Sequence, residues 1–225
     1  MAAGIVPTAV LFDEDRFDET HAIVSATQSV TERYLVPAEL IAGASTLAAQ
    51  PRVIAIFPQP VQASFASLDL AATRGVFLAG VADPGNVGTI IRSAAALGSQ
   101  WVALGPGSSD PYHPRATRAA MGATFALPLL TGVSAEDLAT RDGLRIVAAV
   151  ASGGVPPWNV DLSTPHVLAL GAERHGLEPS FDVLEVKFPV TRITIPQVAG
   201  AESLNVSAAA AALLAESARQ VGGAR

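Results

Sequence analysis

Polar side chains follow three apolar segments of the sequence, at the points where each segment gives way to a loop or a helix start. Asn86 and Arg92 follow the first segment, Glu173 follows the second, and Ser203 and Asn205 follow the third. Amide, hydroxyl, guanidinium and carboxylate groups can orient a polar substrate and manage a proton. Each residue alone has a structural explanation as a turn residue, a helix cap or a surface arginine. Together, and in this order, they indicate a functional site assembled from separate parts of the chain.

The elements that must position these residues alternate between strand and helix from Gly75 onward. Short apolar runs predict buried strands at 76–81, 101–104, 144–150, 167–170 and 190–195, with a strand-like piece at 125–130. Helices are predicted at 87–97, at 115–121 and in the Ala-rich run 208–214. This alternation predicts an α/β domain whose parallel sheet is covered by helices on both faces. In such sheets ligands bind beyond the carboxyl ends of the strands, where the polar residues stand.

Residues 1–70 do not show this alternation of strand and helix. We therefore predict that they form a small N-terminal α+β part and that residues 71–225 form the α/β domain. A short strand is expected at Thr8–Phe12, followed by an acidic stretch at Asp13–His21 that forms a solvated turn or a helix start. A short helix and then a buried strand at 53–57 complete this part. No motif in it indicates a function.

Composition excludes several classes of protein. The chain has no cysteine, and its four histidines lack metal-ligand spacing, so neither disulfides nor a metal site are predicted. No apolar run is long enough to span a membrane, and the N-terminus lacks the pattern of a secretion signal, so a cytoplasmic location is expected. The formal net charge of −6 argues against avid non-specific binding of nucleic acid. A local basic patch can still bind RNA, because charge distribution matters as well as its sum.

Three sequence motifs occur at the strand ends in the order found in one protein family. They are Asn-x-Gly-x-x-x-Arg, Gly-x-Glu-x-x-Gly-Leu, and Ile-Pro followed by a loop and Ser-Leu-Asn-Val-Ser. The matching residues are Asn86, Gly88 and Arg92; Gly171, Glu173, Gly176 and Leu177; and Ile195, Pro196, Gly200 and Ser203–Ser207. From about Gly75 to Gln220 the chain therefore resembles the SpoU/TrmH-type RNA ribose 2′-O-methyltransferases of the SPOUT superfamily.

The resemblance implies a fold, a cofactor and an oligomeric state. Family members bury the C-terminal segment in a trefoil knot, bind S-adenosylmethionine in that knot and work as homodimers. The Rossmann glycine fingerprint is absent from this chain, which fits a different cofactor pocket. The residues expected by motif match to contact the cofactor are Leu170, Gly171, Ile195, Pro196, Gly200 and Leu204.

The resemblance also implies a substrate, which is a ribose 2′-hydroxyl in rRNA or tRNA. The residues expected to serve catalysis are Asn86, Arg92, Glu173, Ser203 and Asn205, and those expected to contact RNA are Arg92, Arg115 and Arg118. The family assigns the counterpart of Arg92 a role in activating the hydroxyl. An arginine stays protonated near neutral pH, so positioning the 2′-oxygen or a neighbouring phosphate is the more conservative role.

The chain departs from the family pattern in three regions. Arg174 and His175 follow Glu173 at positions where small residues are frequent. Gln197 stands where many relatives carry methionine after Ile-Pro, in the loop expected to hold the cofactor. The N-terminal part is shorter than the family's usual RNA-binding extension, and we interpret it as a truncated version of that extension. The segment that normally selects the RNA is thus the least typical part of the chain.

Two other functions compete with the methyltransferase. A non-catalytic RNA-binding or ribosome-assembly module that retains the fold agrees with the net negative charge and the short N-terminal part. An α/β enzyme acting on a phosphorylated metabolite is the weaker alternative, because the sequence has no P-loop, metal cluster or nucleophile with a partner base. The full set of polar site residues favours the methyltransferase, since a binding module would not need all of them.

Overall fold

The computed structural model describes residues 5–45, 50–60, 64–69, 72–172, 176–177, 181, 185, 189–198, 200 and 203–223. The chain divides into two compact units, Met1–Pro60 and Val61–Arg225. The sequence predicts a boundary near residue 70, about ten residues beyond this division. Across the described ranges of both units, no helix has the length and apolarity that a bilayer crossing requires.

The first unit is built on a three-stranded sheet with the order β2-β1-β3. Its strands are β1 (Ala9–Asp13), β2 (Glu32–Val36) and β3 (Val53–Ile56), and its helices include α1 (His21–Ala26) and α2 (Ala38–Ala44). Strand β1 is parallel to β2 and antiparallel to β3. A small core forms around Val10, Phe12 and Val30.

The stretch after β1 is the expected helix start, although its first residue is not solvated. Asp13 is fully buried and caps a 3-10 helix, Glu14–Thr20, by accepting a hydrogen bond from the Asp15 amide at 3.1 Å. The expectation of a buried strand at β3 is wrong, since Ile56 is 50% exposed. Its place at the edge of the sheet explains this exposure, because β3 has a neighbour on one side only.

The second unit contains a six-stranded parallel sheet with the order β6-β5-β4-β8-β7-β9. Its strands are β4 (Gly75–Ala79), β5 (Trp101–Leu104), β6 (Leu129–Thr131), β7 (Ile146–Ala149), β8 (Val167–Gly171) and β9 (Val190–Ile193). Its helices include α3 (Pro84–Ala96), α4 (Pro114–Ala120), α5 (Ala135–Ala139) and α6 (Val206–Gly223). The predicted α/β fold with a parallel sheet is confirmed.

Helices cover both faces of this sheet, as the apolar strands predict. In β4, Val76 and Leu78 pack into the cluster that contains residues of α3 and α6, whereas Phe77 and Ala79 pack into the cluster that contains residues of α5. All five residues of β4 are buried. A central strand buried on both sides needs apolar residues at every position, which is why these strands appear as continuous apolar runs.

Helix α6 is the predicted Ala-rich helix, and polar side chains as well as core residues attach it to the unit. Leu213 and Leu214 are buried in the core. The Ser217 hydroxyl donates to the Leu162 carbonyl at 3.1 Å, and the Leu162 amide donates to Gln220 Oε1 at 2.7 Å. These contacts fix the helix along its length, so its N-terminus is held at a defined place beside the sheet.

Candidate functional site

A cavity of about 240 Å³ lies at the carboxyl ends of β7, β8 and β9 and is bounded on one side by α6. Strands β7 and β8 pair as far as Ala148 and Ala169, and the next residues, Ala149 and Leu170, line the cavity. We call this space the strand-end cavity. Small and aliphatic residues make up most of its described wall, and Gln197 and Ser203 supply polar side chains.

Residues of the second and third motifs meet in this cavity. Of the six residues expected to contact the cofactor, four line it, namely Leu170, Gly171, Ile195 and Leu204. Pro196 and Gly200 are exposed and do not belong to its described wall. Leu204 keeps 43% of its surface exposed although its neighbour Val206 is buried. An apolar side chain is thus available to a ligand at the cavity.

Gly171 occupies a position where a side chain does not fit. A Cβ atom there would lie 2.0 Å from the carbonyl carbon of Gly176 and 2.3 Å from the amide nitrogen of Leu177. The Gly176 amide donates to the Ala172 carbonyl at 2.8 Å, and Gly176 has a φ of 64°. The glycines of the second motif therefore allow the backbone at Gly171 and Gly176 to approach closely beside the cavity. Glu173 belongs to the same motif and lies outside the described residues.

Part of the cavity wall comes from residues that the sequence does not single out. Ala149, Val150 and Ala151 follow β7, and Ala209 and Leu213 face the cavity from α6. The glycine pair at 153–154 marks the loop after β7 in the sequence. Strand β7 lies between β8 and β9 in the sheet, however, and chain order does not reveal this adjacency.

Asn205 joins the N-terminus of α6 to α3. Its Oδ1 caps α6 by accepting hydrogen bonds from the amide and the hydroxyl of Ser207 at 2.9 and 2.6 Å. Its Nδ2 donates to Oδ1 of Asn86 at 3.2 Å, although the two residues are 119 positions apart. Ser203 and Leu204, which directly precede Asn205, line the strand-end cavity. The amide pair therefore lies beside the cavity.

Asn86 lies in the first turn of α3, whereas the spacing predicts it in a turn before the helix. The helix starts earlier because Asp83 caps it, accepting a hydrogen bond from the Asn86 amide at 3.0 Å. Pro84 then occupies the first helical position, where its missing N–H costs nothing. As a result the Asn86 side chain is presented from the start of α3 toward Asn205.

Arg115 completes a group of side chains that we call the polar corner, which consists of Asp83, Asn86, Arg115 and Asn205. Its Nη2 lies 3.3 Å from Oδ2 of Asp83. Both side chains of this ion pair are more than 40% exposed, with values of 59% and 42%, so the pair contributes little to stability. These groups are accessible and can meet a polar ligand.

Gly88 sets the distance between α3 and α4. A Cβ atom at Gly88 would lie 2.1 Å from the carbonyl oxygen of Ala116 and 2.8 Å from the Cβ of Ala119. This contact places α4, which carries Arg115 and Arg118, directly against α3. The glycine of the first motif thus acts through helix packing and brings two of the predicted RNA-contacting residues to the polar corner side of the unit.

Arg92 follows Gly88 by one helical turn and is exposed. Within the described ranges it forms no hydrogen bond or ion pair, so no fold contact seen there explains an arginine at this place. In the loop before α4, burial raises the pKa of the Tyr112 phenol, and the charge of Asp110 raises it further. Among the residues described, no three His, Cys, Asp or Glu side chains cluster as metal ligands.

Comparison with known proteins places this geometry in context. Residues 73–215 match the family model of the SpoU rRNA Methylase family. An uncharacterized tRNA/rRNA methyltransferase of Synechocystis is 35% identical over 152 residues, which cover 66% of this chain and 54% of that protein. The chain thus spans about half the length of this relative. The 23S rRNA (guanosine(2553)-2′-O)-methyltransferase RlmP of Bacillus subtilis is 28% identical over 214 residues, covering 94% of this chain and 80% of that protein.

Solved structures extend the similarity to the whole chain. The SpoU methyltransferase AviRb of Streptomyces viridochromogenes superposes with a TM-score of 0.82 at 25% identity, covering 100% of this chain and 86% of that one. Its complex with the cofactor AdoMet gives a TM-score of 0.80 at 26% identity, covering 97% and 84% of the two chains. The family model spans well over half of the sequence and includes the strand-end cavity and the polar corner. The chain therefore belongs to the SpoU rRNA methylase family.

Proposed function

We propose that this protein transfers the methyl group of S-adenosylmethionine to a ribose 2′-hydroxyl of ribosomal RNA. The observation that carries the proposal is the continuity of two different surfaces at the start of α6. Ser203 and Leu204 line the strand-end cavity, and the next residue, Asn205, is hydrogen-bonded to Asn86 in the polar corner. A cavity for a methyl donor is thereby placed next to accessible amides that can meet an acceptor. The name of RlmP supports the same reaction, and the AdoMet complex of AviRb supports the same cofactor.

The strand-end cavity fits the cofactor in the chemistry of its wall. Leu170, Ile195 and Leu204 offer apolar side chains, and Gly171 exposes backbone at a point where no side chain fits. We assign these four residues, with the neighbouring Pro196 and Gly200, to cofactor binding. When bound, S-adenosylmethionine supplies an electrophilic methyl group on a sulfonium. The described wall carries no charged side chain, so apolar contact and backbone groups do most of the binding.

The polar side chains beside the cavity hold the acceptor. Asn86 and Asn205 fix each other through their amides, which limits their motion and leaves them to orient the ribose, with Ser203 at the cavity edge. Arg92 positions the 2′-oxygen or the adjacent phosphate, because a guanidinium stays protonated and donates hydrogen bonds. Glu173 is proposed to orient Arg92. Catalysis by such a site is chiefly the correct placement of two reactants.

We propose that RNA approaches over α3 and α4. Arg92, Arg115 and Arg118 are exposed on these two helices, and arginine side chains bind phosphates with their planar array of donors. The first unit, in its role as a shortened RNA-binding part, would help select the RNA. A protein with a net charge of −6 needs such a local cluster of arginines to bind a polyanion.

Family membership supports three further features of the proposal. The C-terminal segment that includes β8, β9 and α6 forms a trefoil knot, and the protein works as a homodimer. The exposed alanines Ala208 and Ala212 of α6 offer a surface to which a second helix could pack closely. The third feature is a cytoplasmic location, which the bacterial rRNA methyltransferases among the relatives favour.

Calorimetry and product analysis together test the proposed function. Titration with S-adenosylhomocysteine should show saturable binding near one molecule per chain. Incubation with S-adenosylmethionine and unmodified ribosomal RNA, followed by digestion and mass spectrometry of the nucleosides, should reveal one 2′-O-methylated nucleoside. Cofactor binding without methylation of any RNA would favour the non-catalytic module, and absence of cofactor binding with and without RNA would overturn the proposal.

A further inference from the structure

The loop that follows β7 is attached to the end of β9 at both of its ends. The Val150 amide donates to the Ile193 carbonyl at 2.9 Å, where the loop begins. Where it returns, the Val155 amide donates to the Arg192 carbonyl at 2.9 Å, and the Thr194 amide donates to the Val155 carbonyl at 3.0 Å. Residues 151–154 therefore form a short excursion whose two ends are bonded to three consecutive residues of the C-terminal segment, 192–194.

The hydroxyl of Thr194 closes this excursion. It donates to the Val150 carbonyl at 3.1 Å and accepts a hydrogen bond from the Gly154 amide at 2.9 Å. It thus contacts both ends of the loop with one atom. Gly154 permits the contact, because a Cβ atom there would lie 2.7 Å from both the Ile193 carbonyl carbon and Oγ1 of Thr194.

The two segments joined in this way are walls of the strand-end cavity. Ala149, Val150 and Ala151 line it from the loop side, and Ile193 and Ile195 line it from the β9 side. Thr194 itself lies between two lining residues and is not part of the described wall. Any effect of Thr194 on a ligand must therefore pass through the residues that its hydroxyl holds in place.

We propose that Thr194 is a positioning residue for the cofactor, which it serves by locking the loop after β7 to the exit of β9. The inference rests on the proposed function, in that the strand-end cavity holds S-adenosylmethionine. The loop contains Gly153 at a φ of 77° next to Gly154, and a glycine pair has more backbone freedom to lose on ordering than other residues. If this wall is already ordered before the cofactor binds, the loss of backbone freedom does not weaken binding.

Two substitutions separate the hydroxyl from the shape of the side chain. Thr194→Val keeps the branched shape and removes both hydrogen bonds, whereas Thr194→Ser keeps the hydroxyl. Titration with S-adenosylhomocysteine should give about tenfold weaker binding for the valine variant, as expected for the loss of two partly buried hydrogen bonds, and near wild-type binding for the serine variant. Thr191→Val in β9 is the matched control, because within the described ranges the Thr191 hydroxyl has no hydrogen-bond partner.

Hydrogen exchange reports the same contact in the unaltered protein. The Gly154 amide should be protected in the wild type, gain protection with S-adenosylhomocysteine and lose it in Thr194→Val. The wild-type part of this measurement does not depend on the stability of a variant. Unprotected Gly154 in the wild type, or equal affinity of wild type and Thr194→Val, overturns the inference while the proposed function stands. A wild-type protein that binds no cofactor analogue overturns both.

Discussion

The strand-end cavity and the polar corner lie side by side but are built by different means. The path of the backbone shapes the cavity. The pairing between β7 and β8 ends beside it, and the backbone around Gly171 leaves no room for a side chain. The polar corner is built from exposed or half-exposed side chains, and its central contact is a hydrogen bond of 3.2 Å between two amides. The strand-end cavity therefore depends on the path of the backbone, whereas the polar corner depends on the chemical groups of its side chains.

This difference separates the effects that substitutions should have. A change in the cavity alters how the backbone packs, so it should affect stability and cofactor affinity together. A change at Arg92, or a change in the polar corner that keeps the helix caps of Asp83 and Asn205, removes a group that the fold does not need. Such a change should affect turnover and leave the fold intact. Each of the following experiments tests whether that separation holds, beginning with the largest expected effect.

Gly171→Ala should remove cofactor binding and destabilise the fold by about 3 kcal/mol, because its Cβ would overlap with the backbone of Gly176. Denaturant unfolding and titration with S-adenosylhomocysteine measure the two effects. Gly222→Ala in the last turn of α6 is the control, because no described atom outside the local helix backbone lies within 4 Å of its Cβ position and alanine favours a helix. A stable Gly171→Ala variant that binds normally would contradict the backbone origin of the cavity.

Arg92→Ala should lower turnover about 100-fold while cofactor affinity and melting temperature stay unchanged, because its proposed role is to hold the acceptor. Methyl transfer to ribosomal RNA and calorimetry with S-adenosylhomocysteine give the two readouts. Arg219→Ala is the matched control, since Arg219 is an exposed helical arginine whose ion pair is with Glu216 on the same helix. Unchanged turnover of Arg92→Ala would remove this residue from the mechanism.

Asn205→Asp should lower turnover about tenfold with little change in melting temperature. Aspartate still caps α6 with a side-chain oxygen, but it lacks the Nδ2 donor that bonds to Asn86. Asn205→Ala loses the cap as well and should lower the free energy of unfolding by about 1 kcal/mol. If Asn205→Asp were fully active, the bond between the two amides would have no part in placing the substrate.

The smallest effect is expected at Glu216, far along α6 from both regions. Hydrogen bonds from Arg219 and then Gln220 lower the pKa of its carboxyl to about 2 from the ordinary 4.5. A lowered pKa in the folded state stabilises the fold above pH 4.5, and this stabilisation is lost as the pH falls toward 2. The melting temperatures of wild type and Glu216→Gln should therefore converge in acid, by a small amount because Arg219 is largely exposed. A constant difference would contradict this linkage.

Much of the fold of the second unit could be predicted from the sequence, because its signals are local. A strand buried on both faces is apolar at every position, and β4, β5, β7 and β8 were predicted for this reason. Predictions failed where burial depends on neighbours. Strand β3 is apolar yet half exposed at a sheet edge, and β2 is exposed along most of its length and gave no apolar run.

The site was predictable in its residue types more than in its contacts. The order of the three motifs pointed to Gly171, Ile195 and Leu204, which do line one cavity. Nothing in the sequence pointed to Ala149–Ala151 as its opposite wall, because small residues after a strand are common. Nor did it reveal that Asp83 caps α3, which moves Asn86 into the helix and toward Asn205.

The sequence by itself determined the family, the alternation of strand and helix, and the polar groups available for chemistry. These properties reside in residue type and short-range spacing, which do not change on folding. The tertiary structure alone decided that β7 lies between β8 and β9, that Asn86 meets Asn205, and that the Thr194 hydroxyl ties the loop after β7 to the end of β9. The physical reason is that each of these facts joins residues dozens of positions apart, and only the packing of the whole sheet and its helices brings such residues within hydrogen-bonding distance.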